Sequence, residues 1–242
     1  MLDFLRNVAA SLVAALLILV ITLWKSELIR KVLTALASAA LGVDIKYVYR
    51  NGDDASSDIK DRMSESRQVR ILTGRGNEFQ RHLYADLLDR SRQGVVNVKI
   101  LLPNTEAAQT AHGIDWVDQR EEELRGIDPA FGNGTLRRQI QQNVEFLRPY
   151  IGEHLQIRQF TSAHVGRVLL MDDAVFLTPY SSTRHGRDCR VLQFGRGDLY
   201  NFFDRMFELM WSGSPSTHVA AHDDSLSLPE RRIREAHLSG RD

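Results

Sequence analysis

Two mostly apolar runs separated by a pair of aspartates, Val165–Met171 and Ala174–Leu177, restrict the fold of this chain more than any other stretch. Asp172-Asp173 between them is turn chemistry, so the runs read as two strands joined by an acidic turn. His164 enters the first strand, Arg167 sits inside it and Asp172 leaves it. A base, a cation and a carboxylate around one strand are what phosphate chemistry or phosphate binding needs.

The segments around that pair build a sheet. Ile45–Tyr49 (IKYVY), Gln68–Leu72 (QVRIL), Val95–Leu102 (VVNVKILL), Leu155–Phe160 (LQIRQF) and Arg190–Phe194 read as further strands. Helical spacing predicts helices over Ser57–Ser66, Glu78–Ser91, Glu106–Arg125 and Thr135–Tyr150. A last helix, Leu199–Trp211, is strongly apolar and carries Phe203, Phe207 and Trp211. The strand–helix–strand unit from Gln68 to Leu102 implies a parallel pair with a crossover helix. The expected architecture is α/β: a mixed, mostly parallel sheet flanked by helices and closed by the aromatic helix. The sequence contains no internal repeat.

In front of this domain lies Val8–Trp24 (VAASLVAALLILVITLW), a run without a charge. With its flanks it is long enough for a hydrocarbon core of ~30 Å. Lys25, Arg30 and Lys31 follow it, so the positive-inside rule puts the C-terminal part in the cytoplasm. A cleaved signal peptide competes, since Ala37-Ser38-Ala39 resembles a cleavage site, but that site lies far beyond the apolar run. Leu28, Ile29, Val32, Leu33, Leu36 and Leu41 then recur at helical spacing beside basic residues, which predicts an amphipathic juxtamembrane helix. The expected organisation is a transmembrane helix plus amphipathic helix over 1–44, an α/β domain over 45–212 and a mobile polar tail over 213–242. That is a single-pass protein of the inner or plasma membrane, with the lipid bilayer as its first partner.

Charge bears on the remaining partners. Lys+Arg and Asp+Glu both count 31, so net charge gives nucleic-acid binding no support. The lone Cys189 rules out an intrachain disulfide framework and fits a reducing compartment. No cofactor or metal is expected. Two loops are candidates for anion binding. Gly74-Arg75-Gly76 joins a strand to a helix, where backbone N–H groups and a helix N-terminus can face a phosphate; it is neither a Walker loop nor a dinucleotide fingerprint. Ser181, Ser182, Arg184 and His185 belong to a polar, basic loop after the strand pair.

The order of elements and the wording of several segments resemble the phospholipase D-like superfamily. The matching pieces are Gly94 followed by VVNVKILLPN, LQIRQF, HVGRVLLMDD and the closing FFDRMFELMW, over about Gln68–Trp211. In active members a His-x-Lys-x4-Asp motif supplies a nucleophilic His and a phosphate-binding Lys. Two copies meet within one chain or across a homodimer, and the reaction is phosphodiester cleavage through a phospho-histidine. Here His164 matches the nucleophile, Gly166 stands at the Lys position, and Arg167 is one place late. Met171 holds the strict Asp position, and Asp172 is one place late. The following turn, Thr178-Pro-Tyr-Ser-Ser182, lacks the usual Asn, and the motif occurs once. A one-residue shift on a strand turns a side chain to the opposite face, so Arg167 is expected to point away from His164.

The resemblance thus implies a degenerate, pseudoenzyme-type domain, a homodimer like its relatives, that binds or senses a phosphate-bearing ligand (nucleotide, nucleic acid or lipid headgroup) in signalling or defence. Two alternatives stand beside it. One is an active homodimeric phosphodiesterase, a nuclease or phospholipase, with His164 as nucleophile and Arg167 and Asp172 beside it. The other is a non-catalytic membrane scaffold that self-associates.

Overall fold

A computed structural model describes residues 27–42, 44–80, 82–106, 115–162 and 166–214. The predicted spanning run 8–24, His164 and the tail from 215 onward lie outside the described residues. Among those described, no helix is long and apolar enough to cross a membrane.

Helix α1 (Glu27–Leu41) leads into strand β1 (Ile45–Tyr49), followed by α2 (Gly52–Glu65) and β2 (Gln68–Leu72). A 3-10 turn (Asn77–Gln80) and α3 (His82–Arg92) cross over to β3 (Asn97–Pro103). Next come α4 (Trp116–Arg125), α5 (Thr135–Leu147) and β4 (Leu155–Phe160). The chain then runs through β5 (Gly166–Leu170), β6 (Val175–Pro179) and β7 (Val191–Phe194) into α6 (Asp198–Gly213). Residues 57–66 were expected to be helical. The helix starts earlier, because Asn51 accepts the Asp54 N–H at 2.9 Å and caps it.

The described strands form one seven-stranded sheet in the order β1-β7-β6-β5-β2-β3-β4. Only β2–β3 and β3–β4 are parallel; β2–β5, β5–β6, β6–β7 and β1–β7 are antiparallel. The expectation of a mostly parallel sheet is therefore corrected: the sheet is mixed and mostly antiparallel. Connection length is the cause. A parallel pair needs a crossover, and helices cross between β2 and β3 and between β3 and β4, whereas β5 turns into β6 through Asp172-Asp173. In that turn the Met171 N–H donates to the Ala174 carbonyl at 2.8 Å.

The two faces are covered unequally. Ile59 and Met63 of α2, Tyr84, Leu87 and Leu88 of α3, and Val144 and Leu147 of α5 pack on Tyr49, Ile71, Ile100, Leu169 and Phe176. The opposite face is covered by α6, whose Phe203, Phe207 and Trp211 meet Leu72, Leu101, Val168, Leu170 and Val175. Phe207 and Trp211 stack with ring centroids 5.9 Å apart. Strand alternation thus sends Leu169 and Met171 to the α2/α3 side, and Val168 and Leu170 to the α6 side. A smaller cluster, Val117, Leu124, Phe131, Leu136 and Ile140, joins α4 to α5.

Helix α1 is tied to the domain by polar contacts. Lys31 donates to Asp58 of α2 at 2.9 Å and lies over the Tyr47 ring at 5.4 Å, and the Ser38 hydroxyl donates to the Ile45 carbonyl. Its outer face leaves Val32, Leu33 and Leu36 exposed.

Candidate functional site

A cavity of about 280 Å³ opens beside the end of β2, where α2, α4 and the loop after β6 converge. Thr73, at the end of β2, donates its N–H to the Leu101 carbonyl at 3.1 Å, which fixes where the strand stops and the 73–77 loop begins. Asn143 of α5 shapes that loop. Its Nδ2 donates to the Arg75 carbonyl at 2.8 Å and to Asn77 Oδ1 at 2.6 Å, while its Oδ1 accepts from Gln80 Nε2 at 2.6 Å. Gly76 has φ +82°, a left-handed conformation that favours glycine.

Four arginines from different parts of the chain line the cavity: Arg75 of the β2 loop, Arg120 of α4, Arg167 of β5 and Arg187 of the loop after β6. Arg75 reaches Gln139 at 3.2 Å and lies over the Phe131 ring. Arg120 is 7% exposed; it pairs with Glu123 at 2.6 Å, donates to the Ser181 carbonyl at 3.0 Å and sits over the Tyr180 ring at 5.1 Å. The Tyr180 hydroxyl accepts the Gly74 N–H at 3.0 Å, which locks the β2 loop to the end of β6. Burial, helped by Glu78, pushes the Tyr180 phenol above its ordinary pKa, so this hydroxyl stays neutral.

Arg167 and Glu78 face each other across the cavity floor. Arg167 Nη1 stands 4.0 Å from Glu78 Oε1, and Arg167 Nη2 donates to Thr178 Oγ1 at 3.3 Å. Arg167 Nε and Glu78 Oε1 are covered by protein and have no hydrogen-bond partner. Burial disfavours the guanidinium charge, but Tyr84 and Glu78 outweigh it and push the pKa above the ordinary arginine value. An uncompensated buried polar atom costs about 1–3 kcal/mol.

The residues singled out from the sequence do not all meet at the cavity. Gly74, Arg75, His185 and Arg167 line the cavity. Gly76 shapes its loop from behind, and Ser181 contributes its carbonyl to Arg120. Ser182 and Arg184 are exposed and do not line it. Asp172 is at the other end of β5: its carboxylate accepts the Arg67 and Gln68 N–H groups at 2.9 and 3.0 Å, closing the start of β2. Five residues separate it from Arg167, ~16 Å of strand at 3.3 Å per residue. The structure therefore brings Arg167 to the cavity but not Asp172.

Gly166, at the family's Lys position, is closed to any side chain. A Cβ there would lie 2.6 Å from the Thr178 carbonyl oxygen and 3.1 Å from Pro179 Cα. Glu78, Tyr84, Trp116 and Arg120 belong to the cavity and were not legible in the sequence. Each sits in a segment whose pattern announces only a helix, and no local spacing links them. Among the described residues no group of three His, Cys, Asp or Glu side chains could hold a metal ion.

Neither a family model nor a curated protein matches the sequence. Among solved structures the chain is similar to TrmBL2, an archaeal chromatin protein, at 15% identity and a TM-score of 0.44, covering 89% of this chain and 67% of that one. It is similar to Nuc, a phospholipase D family member from Salmonella typhimurium, at 12% identity and a TM-score of 0.38, covering 68% and 91%. It is also similar to phosphatidylserine synthase from Haemophilus influenzae Rd KW20, at 13% identity and a TM-score of 0.42, covering 79% of this chain and 44% of that enzyme.

Proposed function

We propose that the chain is a membrane-anchored, cytoplasmic domain of phospholipase D-like type that binds a phosphate-bearing ligand in the Arg167 cavity and does not cleave it. The observation that carries this reading is the convergence of Arg75, Arg120, Arg167 and Arg187 on one cavity in a chain of zero net charge. Guanidinium groups are the natural partners of phosphate oxygens. Two observations speak for binding over cleavage. Gly166 leaves no room for a lysine, and Asp172 spends its carboxylate on the start of β2. The bilayer anchor rests on Val8–Trp24, and a homodimer is what the resemblance suggests.

Hydrolysis of bis(p-nitrophenyl) phosphate by the purified chain, set beside His164→Ala, tests the absence of cleavage. Equal background rates are expected. Hydrolysis that His164→Ala abolishes would restore the active phosphodiesterase reading. The scaffold reading keeps one observation of its own, the exposed Val32, Leu33 and Leu36 on α1, and does not conflict with ligand binding.

A further inference from the structure

The cavity is not uniformly cationic, and this narrows its ligand. Glu78 is 9% exposed and contributes a carboxylate to the floor beside Arg167. A carboxylate there repels a phosphate group that enters to full depth. Its Oε1 lacks a donor, and Arg167 Nε beside it lacks an acceptor. Both atoms are covered by protein, so a ligand meets them only where the two side chains turn toward it; a neutral group that donates and accepts at adjacent atoms, as sugar hydroxyls do, suits such a pair. The remaining arginines come from the loops and helix around that floor: Arg120 on α4, Arg75 in the 73–77 loop and Arg187 after β6. Arg187 is exposed, so the cationic charge extends outward from the floor. Tyr84 and Trp116 add aromatic wall.

We infer that the cavity takes a sugar phosphate unit, either free or as part of a nucleotide. The sugar hydroxyls meet Glu78 and Arg167, and the phosphate stays outward with Arg120, Arg75 and Arg187. The inference rests on the proposed binding of a phosphate-bearing ligand and assigns its chemistry and direction. Re-aiming the Glu78 and Arg167 side chains toward hydroxyls would give their unpaired atoms partners.

Calorimetric titration of the detergent-solubilised full chain with ribose 5-phosphate, AMP, phosphocholine and inorganic phosphate tests it. Ribose 5-phosphate is expected to bind at least tenfold more tightly than inorganic phosphate or phosphocholine, which lack sugar hydroxyls. AMP binding more tightly than ribose 5-phosphate identifies a nucleotide; equal affinities identify the free sugar phosphate. Glu78→Gln is expected to narrow the preference for ribose 5-phosphate, because it removes the charge that repels inorganic phosphate from the floor. Inorganic phosphate or phosphocholine binding as tightly as ribose 5-phosphate overturns the inference and leaves the anion-binding reading intact. No binding by any of the four overturns both. Selectivity of the unaltered chain decides the matter even where Glu78→Gln fails to fold.

Discussion

The Thr178 carbonyl oxygen lies where it would stand 2.6 Å from a Cβ on Gly166, so the two strands leave that position room for a hydrogen and nothing larger. Gly166 pairs with Pro179 in the β5–β6 register, and the close approach is part of that pairing. A lysine at this position, where the resemblance would put one, has no space for its side chain. Gly166→Ala should destabilise the domain by about 1–3 kcal/mol, the range for overpacking a tight site. Thermal unfolding measures this. Gly166→Lys should restore no hydrolysis.

Asp172 should behave as a structural residue. Asp172→Ala removes the acceptor of the Arg67 and Gln68 N–H groups. A loss of about 1–2 kcal/mol is expected from two hydrogen bonds near the surface. Ligand affinity should stay within about twofold, because the residue sits at the far end of β5. A large affinity loss at unchanged stability would return Asp172 to the site.

The α1 contact should depend on pH. Burial opposes the Asp58 charge, but hydrogen bonds from the Tyr49 hydroxyl and Lys31 outweigh it and hold its pKa below the ordinary aspartate value. A carboxyl depressed in the folded state contributes stability above its unfolded pKa. That contribution is lost as pH falls through the depressed value. Amide exchange in α1 should therefore rise on acidification below the ordinary aspartate range, and Asp58→Asn should remove that dependence. Asp58 keeps about a third of its side chain in water, so solvent screens the effect. Helix α2 also lines the cavity through Gly52, Asp53, Ser56 and Ile59. One helix thus touches both the site and α1.

Membrane attachment should reside in the segment before α1. Deleting residues 1–26 should move the chain from the membrane fraction to the supernatant on cell fractionation. Retention of the shortened chain in the membrane would place the attachment on α1, through its exposed Val32, Leu33 and Leu36.

The strands and the closing helix were legible because period-two and helical spacing are local properties. Val168, Leu170, Phe203, Phe207 and Trp211 announce their burial in the sequence itself. Arg167 shares the face of Leu169 and Met171, whereas Val168 and Leu170 turn to α6. Strand order was not legible. That β5 pairs antiparallel with β2 depends on contacts about a hundred residues apart, such as Leu72 with Val168. The cavity was half legible for the same reason. Glycine and arginine loops show themselves, but Glu78, Tyr84 and Arg120 meet only once α3 and α4 dock on the sheet. Asp172 shows how a motif can mislead by one residue: its carboxylate serves the turn it sits in.

The most direct test of the proposed function is the thermal unfolding midpoint of the solubilised chain with nucleotides, sugar phosphates and phosphocholine, set beside Arg167→Gln. A ligand at a hundred times its dissociation constant adds ~2.7 kcal/mol, about 5–10 °C in a domain of this size. The predicted result is such a rise for at least one phosphate-bearing compound, absent in Arg167→Gln. No rise with any of them, or an undiminished rise in Arg167→Gln, would contradict binding in the Arg167 cavity.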